Sequence, residues 1–169
     1  MKRFMPFIGL FLIIGALMAC GEASNTGTSS KPSDKPAAPA KHFKVGDTVK
    51  VGDVWQVVVN SVKTDAGGQF STLKSGDVYL LIDVTLTNIS DKEQVTSSLG
   101  DWKLTGIDGQ AYNTSFFSGA PTAPDGKVAA GSPAKGTLAY EAPESVKSFN
   151  LAFAPSMFQA GQTIWDLTV

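Results

Sequence analysis

Few side chains in this sequence are of types that do chemistry, and their placement narrows what that chemistry could be. Cys20 is the only cysteine of the 169 residues, and His42 is the only histidine. A lone thiol closes no internal disulfide, so a disulfide-stapled fold is excluded. Catalysis through a Ser or Thr nucleophile needs an oriented base, most often histidine. His42 stands where a tether meets a domain, and a mobile, solvated ring is expected there. No G-x-S-x-G elbow, S-x-x-K set, P-loop or zinc-type His/Cys cluster occurs in a supporting context. Glycoside hydrolysis needs only two carboxylates. Asp47 with Asp53, Asp91 with Glu93, and Glu141 with Glu144 are the candidate pairs, all at turns or strand ends where solvated carboxylates are the default. Asp65-Ala66-Gly67-Gly68, Asp108-Gly109 and Asp125-Gly126 each offer calcium one carboxylate and a turn. Turn formation accounts for them without a metal. No catalytic residue, metal or cofactor is therefore expected. A hydrolase whose carboxylates are assembled in space is the enzymatic alternative.

Cys20 itself stands at the end of an N-terminal apolar run. Lys2 and Arg3 give a basic start, and residues 7–18 are almost entirely apolar. A run of about a dozen residues is too short to span a bilayer comfortably but has the length of a secretory h-region. Leu17-Met18-Ala19-Cys20 closes that run and resembles the lipobox of bacterial lipoproteins. The resemblance implies a signal peptide over residues 1–19, cut before Cys20, and a diacylglyceryl group on the Cys20 thiol. It implies a cell-membrane location, lipid-anchored and facing the extracytoplasmic side.

Residues 20–41, the lipidated cysteine and the stretch GEASNTGTSSKPSDKPAAPAK, are expected to form a disordered tether. After Cys20 this stretch holds no aromatic and no branched aliphatic residue. It cannot bury enough apolar surface to offset its ordering entropy. Twenty such residues reach roughly 65–70 Å fully extended and average nearer 25 Å as a flexible coil. Formal net charge is -1, with acids and bases mixed along the chain. Nothing resembles a basic stripe, so nucleic acid is not expected as a partner.

Residues 42–169 have the length of one domain with a real core. Val78, Leu80, Ile82, Val84 and Leu86 alternate with Tyr79, Leu81, Asp83, Thr85 and Thr87, the pattern of a strand with one buried face. Trp55, Val57 and Val59 form a second such set. Val62 falls on the opposite parity, and a bulge near Asn60 would return it to the core. Trp102 and Leu104 lead to Asp108-Gly109, expected to be a two-residue hairpin turn before Tyr112. Leu138 with Tyr140, then Phe149, Leu151 and Phe153, and finally Trp165, Leu167 and Val169 complete the apolar runs. No stretch after the signal peptide holds a helical period beyond a turn or two. About seven short strands punctuated by Gly, Pro and Asp predict an all-β, antiparallel immunoglobulin-like β-sandwich.

Val45-Gly46-Asp47-Thr48-Val49, Trp55 to Val62 and Tyr79 to Asn88 follow one another in order, then Asp108-Gly109 before Tyr112, and Gly131 and Gly136 ahead of Leu138-Ala139-Tyr140-Glu141-Ala142-Pro143. In these residues the domain resembles a family of bacterial exported proteins, many of them lipoproteins, similar to the mycobacterial immunoprotective extracellular antigen. The resemblance implies an immunoglobulin-like sandwich. It transfers no catalytic residues, because the family carries none that are established.

The best binding candidates are Phe116 and Phe117, adjacent rings in a long segment of Ser, Gly, Pro and Ala between Asn113 and Pro133. Neighbours in an extended chain point to opposite faces, so one ring is expected to turn away from the core. Both rings plugging the open end of the sandwich is the bland alternative. The sequence as a whole predicts a lipid-anchored, non-catalytic binding module for a protein or envelope component. A structural envelope lipoprotein without a ligand site is the other non-enzymatic reading.

Overall fold

The strictest alternation in the chain becomes the strand around which one sheet is built. In the computed structural model, residues 40–68, 73–155 and 162–169 are described. The expected signal peptide, Cys20 and nearly all of the tether lie outside them. Along β4 (Asp77–Asn88), Leu80, Ile82, Val84 and Leu86 are completely buried on the inner face. Its sheet runs β2 (Thr48–Val51), β3 (Trp55–Asp65), β4 and β9 (Pro133–Pro143), with every neighbour antiparallel. The facing sheet runs β1 (Lys41–Lys44), β11 (Thr163–Thr168), β10 (Ser148–Phe153), β6 (Trp102–Gly106) and β7 (Ala111–Tyr112). A two-stranded ribbon, β5 (Gln94–Thr96) with β8 (Gly126–Val128), completes the described strands.

Between the sheets lies one core, because each strand turns its alternate apolar residues inward. Trp55, Val57 and Val59 meet Leu104, Phe149, Leu151, Phe153, Trp165 and Leu167 there. The Trp102 ring sits 4.5 Å from Phe153 and 6.3 Å from Trp165, centroid to centroid. Such tilted aromatic contacts add specific attraction to the area they bury. The fold is an all-β, largely antiparallel sandwich, and no helix occurs among the described residues.

Two local readings are resolved by the register. The β3–β4 ladder shifts between Val59 and Ser61, so Asn60 is the extra residue of a bulge. Val62 is thereby returned to the core side, where it packs against the cluster. The Asp108-Gly109 turn is longer than expected. Gly106 N–H donates to the Gln110 carbonyl at 2.8 Å, leaving three residues, 107–109, in the loop. Gly109 takes the left-handed conformation at φ +85°, as a three-residue hairpin requires.

The pairing of β1 with β11 is parallel. The short strand KHFK carries one apolar side chain, Phe43, whose ring lies 6.0 Å from Trp165. That contact docks the strand. It also corrects the expectation for His42, which is not a mobile linker residue. His42 Nδ1 lies 2.7 Å from Asp166 Oδ1, with both side chains about half exposed.

Candidate functional site: an apolar cleft beside strand β9

After β7 the chain runs along the open edge of β9. Thr114 bridges Tyr140, and Ser115 N–H donates to the Ala139 carbonyl at 2.7 Å. Residues 116–121 then leave the edge. The chain returns where Thr137 N–H donates to the Thr122 carbonyl at 3.3 Å. Between departure and return opens a cleft of about 550 Å3. Its walls are mainly apolar, with Leu99, Phe116, Phe117, Pro121 and Ala123 contributing the larger groups.

The return path depends on Gly136. A Cβ there would lie 2.6 Å from Pro124 N and 2.8 Å from Ala123 C, and closer still to the Thr122 carbonyl oxygen. Residues 122–124 cross this position because it has no side chain. The glycine therefore sets how closely the cleft wall approaches the sheet.

The two adjacent phenylalanines separate, as alternation along an extended segment requires. Phe117 turns back onto Tyr79, ring centroids 4.9 Å apart and planes at 56°. Tyr79 is 4% exposed although it lies on the outer face of β4, and the Phe117 ring is part of its cover. Phe116 is 81% exposed at the lip of the cleft. Leu99 is nearly as exposed and lines the same cleft. Sequence reasoning missed Leu99. Its signal was a lone aliphatic residue inside the polar turn Ser97-Ser98-Leu99-Gly100-Asp101.

Among the described residues, one ionisable residue, Asp125, lines the cleft. It does more than form a turn. Asp125 Oδ1 accepts from Ser98 N–H, and Oδ2 accepts from Ser98 Oγ at 2.9 Å. This clamp holds the 97–101 turn, and with it Leu99, against the cleft wall. Asp101 lies behind it and accepts from Ser97 N–H at 2.8 Å. Burial pushes the Asp101 carboxyl above its ordinary value, the Ser97 hydrogen bond opposes this, and the nearby Asp125 charge adds to the rise.

That rise has a definite sign in stability. A carboxyl whose folded pKa exceeds its unfolded value binds its proton more tightly when folded. Its contribution is complete below the ordinary value of 3.8 and is lost as pH climbs through the raised folded value. Asp101→Asn keeps an acceptor for Ser97 N–H and removes this component. The variant is expected to gain a few tenths of a kcal/mol at pH 7, solvent screening keeping the gain small. Denaturant titrations from pH 3.5 to 7 should show the gain vanishing at the acid end. A gain that grows at acid pH instead would contradict the assignment.

The other residues considered for chemistry do not meet at the cleft. Asp53 pairs with Lys50 at 3.2 Å, Glu93 with Lys127 at 2.9 Å, and Glu141 accepts from Lys74 N–H at 3.2 Å. None of Asp47, Asp53, Asp91, Glu93, Glu141 and Glu144 lines it. Asp65 accepts from Gly67 N–H and Asp108 from Gln110 N–H, the two-residue reach of an Asx turn. Among the described residues, no three His, Cys, Asp or Glu side chains gather closely enough to hold a metal ion. The buried Tyr140 phenol is held neutral by desolvation, inside the core.

A β-sandwich with an apolar side cleft is the class that this fold and site define. The chain belongs to the family described as "Domain of unknown function (DUF4352)", which matches residues 43–164. No curated protein matches it. Among solved structures, the candidate lipoprotein ycdA of Bacillus subtilis aligns with a TM-score of 0.60 at 13% identity, over 75% of this chain. This chain spans 39% of the length of that protein. The yjhA protein of Bacillus subtilis aligns at 0.57 and 21% identity, over 73% of this chain and 98% of its own. MPT63, a secreted protein of Mycobacterium tuberculosis, aligns at 0.57 and 12% identity, over 78% of this chain and 99% of its own. At these identities the likeness is one of fold.

Proposed function

We propose that this chain is a lipid-anchored extracytoplasmic protein presenting its sandwich as a non-catalytic binding module, with the cleft as its recognition site. The exposed Phe116 ring beside Leu99, at the rim of an apolar cleft, carries the reading. Isolated apolar residues at a surface need no explanation, but two that line one concave site form a patch suited to a partner. Among the described residues, the cleft carries a single carboxylate, one fewer than acid–base hydrolysis of a glycoside uses. The lipobox-like Leu17-Met18-Ala19-Cys20 and the tether over residues 20–41 supply anchorage and reach. The shared fold of a candidate lipoprotein and a secreted protein fits this location. The expected ligand is a protein or another envelope component.

In-cell photocrosslinking tests the reading. A probe replacing Phe116 should capture one discrete partner, and a probe replacing Gly109, at the hairpin tip, should capture none. Phe116→Ala should change folding stability by less than about 0.5 kcal/mol, because the ring is in solvent. It should weaken capture by a probe at Leu99 about ten- to hundredfold, the range for losing one buried aromatic anchor. Diffuse adducts at both positions, or no adduct, would remove the cleft as a recognition site.

A further inference from the structure

The hydrogen-bonding groups left open in the cleft point to the chemistry of its ligand, an assignment that rests on the binding-module reading. In an antiparallel strand, the N–H and C=O of one residue face the same side, and successive residues alternate. Ser115 bonds to the Ala139 carbonyl and Thr122 to the Thr137 N–H, so Thr137 and Ala139 both face the open edge. Their other groups, the Thr137 carbonyl and the Ala139 N–H, face it too, between those two bonds. Among the described residues, no backbone hydrogen bond from residues 116–121 reaches either group. Both residues line the cleft.

This pair of groups accommodates one extended residue. A residue that donates to the Thr137 carbonyl and accepts from the Ala139 N–H runs parallel to β9, opposite Leu138. No further strand can precede it, because Thr122 occupies the edge on the Thr137 side. Three residues beyond Thr122 in the chain comes Asp125, the one ionisable residue lining the cleft among the described residues. An incoming chain must therefore begin here, and its ammonium finds the opposite charge. Continuation past the first residue is turned outward by Ser115, over the Phe116 rim.

We infer that the cleft captures the free amino terminus of a peptide whose first side chain is apolar. The ammonium donates to the Thr137 carbonyl and the Asp125 carboxylate, which are charge-assisted bonds. The first carbonyl accepts from the Ala139 N–H, and the first side chain lies against Leu99 and Phe116. Terminal amines are captured by backbone groups in this manner elsewhere.

A titration of the 15N-labelled full-length protein with Leu-Ala-Ala amide, against its N-acetylated counterpart, decides it. The free-amine peptide should move the Ala139 amide resonance and those of Leu99 and Phe116 saturably. Acetylation should weaken binding at least about tenfold, since it removes the charge and fills the Thr122 flank. Asp125→Asn, which retains an acceptor for Ser98 N–H, should weaken the free-amine peptide about fivefold. Equal affinity for the two peptides, or binding that leaves Ala139 unmoved, would overturn the inference. If neither peptide binds while the Phe116 probe still captures a discrete partner, amine capture fails and the binding module stands. If both experiments are silent, both fail.

Discussion

Asn88→Asp should lower the melting temperature of the domain by more than about 10 °C, a loss of roughly 3–5 kcal/mol at some 3–4 °C per kcal/mol. Asn88 is completely buried at the end of β4. Its Nδ2 donates to the Lys92 carbonyl at 2.7 Å and the Val128 carbonyl at 2.9 Å. Its Oδ1 accepts from Ser90 N–H at 3.0 Å and from Ser90 Oγ at 2.7 Å. Four bonds exhaust the capacity of the side chain. Two carbonyls facing a buried carboxylate would be left without donors and repelled. Asn88→Ala removes the bonds without adding charge and should cost less, about 2–4 kcal/mol. Thermal unfolding of both variants checks the order, and an aspartate variant no worse than the alanine variant would refute this role for the Asn88 amide. The consequence reaches the cleft. Val128 ends β8, the strand that comes directly after Asp125, so releasing Asn88 loosens the wall that carries the carboxylate.

Gly136→Ala is the second large effect, about 2–4 kcal/mol by overpacking. The added methyl would meet three backbone atoms of residues 122–124, and backbone cannot rotate away as a side chain does. Two responses are available to the chain. Either the strand shifts within its ladder to β4, or the 122–124 segment lifts and breaks the bond from Thr137 N–H to the Thr122 carbonyl. The second disturbs fewer contacts. Hydrogen exchange should therefore show the Thr137 amide losing protection, while the amides of Leu138 and Tyr140, which face β4, keep theirs. Gly68→Ala is the control. A Cβ there meets nothing within 4 Å, and the expected change is below about 0.5 kcal/mol. A Gly136→Ala protein that melts with the parent would show that the close approach is not structural.

The strands that were legible are those whose burial obeys a local period. The alternation from Val78 to Leu86 appears as an interior strand of its sheet, and Phe149, Leu151 and Phe153 as the inner face of β10. The parity change from Val59 to Val62 could be read as a bulge because a two-residue period leaves one place for an extra residue. The Asp108-Gly109 turn was located but mis-sized. Its length is set by the Gly106–Gln110 pairing, which no turn dipeptide announces.

The site was legible only in part. Alternation implied that Phe116 and Phe117 would diverge. Which of them is covered depends on Tyr79, 38 residues upstream and on another strand. His42 read as a linker residue because its partner, Asp166, is 124 residues away in sequence. Gly136 read as one glycine of a family-like pattern. Its role appears only when residues 122–124 are seen crossing it.

Taken by itself, the sequence determined which residues of each long strand face inward, where the chain turns, and that the domain is all-β. Those properties arise from local periodicity and turn chemistry, which a residue and its near neighbours settle. Only the tertiary structure decided that β1 lies parallel to β11, that Asn88 reaches Val128, and that a cleft opens beside β9. Each of these joins groups far apart in the chain. Such contacts form where the packing of the whole core leaves an edge uncovered or a backbone group close enough to bond, and no local pattern records that outcome.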